Sequence, residues 1–127
     1  MTREAISTMN APAAAGAYSQ AIAADGFVFC AGQIPLDPTT GEMLSGSIEE
    51  QTDRVLRNLG GVLDAAGCSP ADVVKTTVFL ADINDFPAMN GVYASFFPDP
   101  PPARSTIQVG ALPRGAKVEI EAIARRP

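Results

Sequence analysis

The chain has 127 residues, 46% of them hydrophobic and 18% charged, which is the composition of a single globular domain over residues 1–127. Nine Lys and Arg against fourteen Asp and Glu give 9 − 14 = −5, an acidic balance that opposes a phosphate-tracking surface and so argues against a nucleic-acid partner. Histidine and tryptophan are absent, which excludes Ser–His and Cys–His nucleophilic pairs, His-ligated zinc and the usual general base.

At the N-terminus, Met1-Thr2-Arg3-Glu4 is followed by no leucine-rich run or cleavage pattern, so no signal peptide is expected. No stretch approaches the roughly 18 apolar residues of a membrane span, and a soluble cytoplasmic protein with no membrane partner is expected. Asp25-Gly26 is a hairpin turn signal. It joins a strand over residues 18–23 to a buried strand over residues 27–31, in which Cys30 reads as a small buried hydrophobe. Cys30 and Cys68 form no CxxC unit, which favours a reducing compartment over a disulfide scaffold. Residues 35–41 form a loop rich in turn residues.

Ser47 followed by Glu50 is a capping box and opens a helix of about five turns. Ile48, Val55, Leu59, Val62 and Ala66 recur at helical spacing, Leu56 and Leu63 widen the stripe, and Gly67 stops the helix. The β-branched run over residues 73–80 predicts a central strand. Asn84 or Asp85 is positioned to cap a second helix over residues 86–97, with Phe86, Met89, Tyr93 and Phe97 on one stripe. Residues 98–102, four of them proline, suit neither helix nor central strand. Two strands follow, over residues 105–109 and 117–124, and the second alternates Val118, Ile120 and Ala122 with Lys117, Glu119 and Glu121. The order is that of an α+β fold with two helices on one face of a sheet. The other face is partly apolar, so a homo-oligomer that covers it is expected.

Arg104 stands between the proline run and the next strand, where fixed φ angles pre-aim its side chain. A stiffened guanidinium suits a carboxylate or phosphate held bidentately, though the position also fits a solvated or ion-paired Arg. Glu119 and Glu121 read either as a solvated strand face or as a carboxylate able to orient or deprotonate water, and spacing does not separate them. Tyr18 and Asn90 are polar groups among apolar neighbours, and Gly32 marks either a close backbone approach or a plain turn. No dinucleotide, Walker, metal or nucleophile-elbow pattern is present, so no cofactor and no metal is expected.

Several segments, in order, resemble the RidA family (YjgF/YER057c/UK114), the reactive intermediate deaminases. They are Tyr18-Ser19-Gln20-Ala21, Gly32-Gln33-Ile34-Pro35, Val74 to Leu80, Asn90 with Tyr93 and Phe96-Phe97, Pro102-Ala103-Arg104-Ser105, and Val118-Glu119-Ile120-Glu121-Ala122. The resemblance implies a chorismate-mutase-like α+β fold, a mixed sheet covered on one face by two helices, assembled as a homotrimer around a central barrel with sites between subunits. It implies hydrolytic deamination of reactive 2-imino and enamine acids, of the 2-iminobutanoate/2-iminopropanoate type, to 2-oxo acids and ammonia. By motif match Arg104 binds the substrate carboxylate and Glu119 positions the attacking water. Tyr18, Gly32, Asn90 and Thr106 line the pocket. The chain departs from the family pattern at Ala17, Ala31 and Thr106 and in the short proline-rich loop before Arg104, while Arg104 and Glu119 are kept. The alternative is a non-enzymatic binder of small carboxylates on the same trimeric fold.

Overall fold

The computed structural model describes residues 2–127. Six strands form one sheet: β1 (Glu4–Ile6), β2 (Ala21–Ala24), β3 (Phe27–Gln33), β4 (Val73–Leu80), β5 (Ala103–Gln108) and β6 (Val118–Arg125). Two helices, α1 (Ile48–Ala65) and α2 (Phe86–Phe96), cover one face. The strand order is β1-β2-β3-β6-β4-β5, so the last strand inserts at the centre. Only the β4–β5 pair is parallel, because α2 and the proline loop carry the chain back across the sheet between them.

The turn between β2 and β3 works as its sequence dictates. Asp25 and Gly26 both take positive φ, 52° and 82°, and close the hairpin. The strand expected over residues 18–23 is shifted to Ala21–Ala24, which leaves Tyr18 outside it. Buried Gln20 replaces ladder bonds there: its side-chain amide donates to the carbonyls of Thr8 (3.1 Å) and Pro12 (2.7 Å), and its Oε1 accepts from Thr8 N (2.7 Å). These bonds hold the N-terminal loop against the sheet. β1 was not expected, since three residues are too few to display alternation, and it pairs with β2 in register Glu4↔Ala23. β3 also runs two residues further than expected, to Gln33.

The capping box of α1 is formed as read. Ser47 Oγ accepts from Glu50 N at 3.1 Å, and Glu50 Oε1 accepts from Ser47 N at 3.0 Å. Gly67 follows at φ 80°, and the N–H of Cys68 closes onto Leu63 O at 2.9 Å. Val55, Leu59, Val62 and Leu63 are fully enclosed by the sheet and α2. The entry to α2 differs from expectation. Asp82 caps a 3-10 turn (Ile83–Asp85) by accepting from Asn84 N at 2.9 Å, and that turn feeds straight into the helix. Asp85 therefore already has near-helical angles and makes no capping bond.

The opposite face of the sheet is open. Phe27, Phe29 and Ile107 project from it with 37%, 47% and 46% of their surface exposed. On β6, Val118, Ile120, Ala122 and Ala124 point into the core, while Glu119 and Glu121 point to the open side.

Candidate active site

Arg104 is the second residue of β5 rather than the residue before a strand, because the ladder with β4 begins at Ala103. Its lateral partner is Thr76, fully buried beneath α2, so Arg104 also points to the helical side. There Nη1 donates to Asn90 Oδ1 at 2.7 Å. The guanidinium carbon lies 4.7 Å from the Tyr93 ring centroid and 5.2 Å from that of Phe86. Among the described residues, no carboxylate lies within 4.0 Å of it. An ion-paired Arg is thus excluded within the protomer. The half-buried cation has an amide oxygen and two aromatic faces for company, and it opens on a cleft of about 560 Å³ lined by Asn90, Tyr93, Phe97, Asp99 and Pro102. Four of its five N–H donors are not used by Asn90.

Glu119 lies on the other side of the sheet. Its β4 partner is Phe79, and its carboxylate fills the space beside Gly32 on β3. A Cβ on Gly32 would stand 2.9 Å from Glu119 Cδ and nearer still to Oε2. Gly32 is therefore a point of close approach and not merely a turn residue. Burial, and secondarily the like charge of Glu121, raises the Glu119 carboxyl above its usual range. Glu121, two residues on, is exposed. The Glu119 cleft, also about 560 Å³, is lined by Tyr18, Ala31, Gly32, Ile34 and Arg114. Tyr18 is 55% exposed, and its hydroxyl accepts from Ala15 N at 3.3 Å.

The expected site residues therefore form two groups: Arg104 and Asn90 on the helical face, and Tyr18, Gly32 and Glu119 on the open face. Within one protomer they do not meet. Arg104 shares a cross-strand row with Thr76 and Ala122, whereas Glu119 shares one with Phe79 and Ile107, three residues along and on the opposite side. Thr106 is two residues beyond Arg104 on the same face, and its Oγ1 is buried with no hydrogen-bond partner among the described residues. Sequence reasoning placed Phe86 and Tyr93 on a core stripe but not against Arg104, and it missed Thr76 altogether. The available signal was the i, i+4, i+7 spacing of Phe86, Asn90 and Tyr93, which puts all three on one helix face.

Residues 8–126 match the family described as Endoribonuclease L-PSP. The chain is 52% identical to the 2-iminobutanoate/2-iminopropanoate deaminase of Rattus norvegicus, over 96% of this chain and 89% of that protein. It is 48% identical to the human protein of the same name, over 98% and 90%. It is 54% identical to the chloroplastic Reactive Intermediate Deaminase A of Arabidopsis thaliana, over 96% of this chain but 65% of that longer one. Among solved structures, it superposes on E. coli TdcF with bound serine at a TM-score of 0.93 and 42% identity, covering 98% of this chain and 99% of that one. RidA from an Antarctic Psychrobacter gives 0.92 and 43%, covering 96% and 98%.

Proposed function

Since the chain belongs to the endoribonuclease L-PSP family, that of the reactive intermediate deaminases, we infer that it is an imine deaminase. It hydrolyses 2-imino and enamine acids to 2-oxo acids and ammonia. The observation that carries this reading is the unneutralised Arg104 guanidinium at the mouth of a cleft. Its free N–H donors take the substrate carboxylate bidentately. The serine bound to E. coli TdcF carries the same type of α-carboxylate, which supports a ligand of this class.

The chemistry needs little more than placement. Water adds to the C=N carbon of the N-protonated imine while the Glu119 carboxylate takes one of its protons, giving a carbinolamine. Glu119 then returns that proton to the nitrogen, and as the C–N bond breaks the hydroxyl proton passes to the Glu119 carboxylate, so ammonia departs and the carbonyl forms. Holding the carboxylate at one end fixes the electrophilic carbon relative to this water.

Because the Arg104 and Glu119 groups lie on opposite sides of the sheet, a complete site takes Arg104 and Asn90 from one subunit and Tyr18, Gly32 and Glu119 from the next. A homotrimer closed over the exposed Phe27, Phe29 and Ile107 faces brings them together. Both cysteines are free and buried, which supports a reducing compartment. Among the described residues, no helix is long and apolar enough to cross a membrane.

The test is release of 2-oxo acid and ammonia from a panel of imines generated by an amino acid oxidase. Arg104→Ala loses nearly all activity. Arg104→Lys also loses most of it, because an ammonium lacks the planar fork. An Arg104→Ala protein as active as the parent overturns the proposal, as does carboxylate binding without any turnover. RNA is not proposed as a substrate, since a net charge of −5 argues against a phosphate-binding surface. RNA cleavage that survives Arg104→Ala and repurification would overturn that part.

A further inference from the structure

The guanidinium of Arg104 is held by a closed circuit of contacts. Thr76 and Arg104 are lateral partners in the parallel ladder, so their side chains leave the sheet side by side. Thr76 Oγ1 and the Tyr93 hydroxyl share a buried hydrogen bond of 2.6 Å, which ties the ring of Tyr93 to the strand next to Arg104. The ring in turn lies 4.7 Å from the guanidinium carbon. Two helical turns earlier on the same face of α2, Phe86 offers a second ring at 5.2 Å, and Asn90 between them accepts one N–H. Tyr93 also packs against Phe97, with ring centroids 4.7 Å apart and the planes tilted by 46°, which restricts its ring further.

We infer that Thr76, Tyr93 and Phe86 are positioning residues for the substrate carboxylate: they hold the Arg104 guanidinium in one orientation before the substrate arrives. The inference rests on the reading of Arg104 as the carboxylate-binding group. An unrestrained Arg samples many rotamers and would have to be ordered by each incoming substrate. With the rings and the Thr76–Tyr93 bond in place, that ordering is completed when the protein folds. None of the three touches the reacting C=N, so their loss weakens binding equally before and at the transition state. The expected signature is therefore a raised KM with kcat retained.

Phe86→Leu keeps an apolar side chain but removes one ring face. The paired replacement Thr76→Val/Tyr93→Phe removes donor and acceptor together, so no buried polar group is stranded. Both are compared with the parent and with Arg104→Ala in steady-state imine hydrolysis, with thermal midpoints confirming the fold. The expected result is a KM raised about threefold to tenfold in each, with kcat within about twofold of the parent. A parental KM in both variants, with Arg104→Ala inactive, overturns the positioning inference and leaves the deaminase reading standing. A fall in kcat at unchanged KM also overturns it, because these residues would then only support the fold. Full activity in Arg104→Ala removes the underlying reading itself.

Discussion

Two carboxylates sit two positions apart on β6, yet Glu119 is half-buried beside Gly32 whereas Glu121 is exposed. Desolvation raises the Glu119 carboxyl, and the charge of Glu121 adds to this. If the working form is the carboxylate, kcat/KM rises with pH through a limb above the ordinary glutamate range. Glu121→Gln moves that limb toward lower pH, which a pH–rate profile of the two proteins measures. The sign for stability is opposite. A raised folded-state value means that protonated Glu119 favours folding below the unfolded value, and that this advantage is lost as pH rises through the folded value. Glu119→Gln cannot ionise, so its thermal midpoint exceeds the parent's near neutrality and the difference shrinks in acid. Gly32→Ala separates the same residue's roles. Its methyl group displaces only the flexible end of Glu119, so thermal stability changes little while turnover falls sharply.

At the scale of elements, α1 contains the pair Gly60-Gly61, which helix propensity treats as two equal weak points. Their surroundings make them unequal. A Cβ on Gly60 would rest 3.5 Å from the Phe96 ring, an ordinary contact. A Cβ on Gly61 would meet the backbone carbonyl of Asn10, with the carbonyl carbon at 2.9 Å. The loop carrying Asn10 is fastened through Gln20 and has little freedom to retreat. Gly60→Ala is therefore expected to stabilise by up to about 1 kcal/mol. Gly61→Ala is expected to destabilise by about 1–3 kcal/mol despite the same gain in propensity. Denaturant unfolding of the two variants decides it, and equal effects would mean that the loop yields.

At the scale of the whole molecule, the proposed site draws its two halves from different copies of the chain. Arg104→Ala and Glu119→Gln proteins are each expected to be inactive alone. Unfolded together and refolded as mixed trimers, they regain activity on the order of a quarter of the parent, since random assortment restores one site in four. No recovery on mixing would place both residues in one subunit's site. Phe29 probes the covering of the open face. Phe29→Lys puts a charge on that surface, and the variant is expected to sediment as a folded monomer without deaminase activity.

The amino-acid sequence alone determined whatever depends on neighbours a few residues apart. The Ser47–Glu50 box, the α1 stripe, the Asp25-Gly26 turn and the alternation of β6 are all local, so their spacing identifies them. Arg104 and Glu119 stand out as candidates through the segments around them. Their placement was not, because a side chain's face follows from cross-strand register and from where the strand lies in the sheet. That β5 begins at Ala103, that Thr76 stands beside Arg104, and that β6 lies between β3 and β4 are long-range pairings with no mark in local spacing. The short β1 and the capping of the α2 entry by Asp82 escaped for a related reason: a three-residue strand shows no period, and a 3-10 turn moves the cap upstream. Only tertiary structure could set the cation and the carboxylate on opposite sides of one sheet.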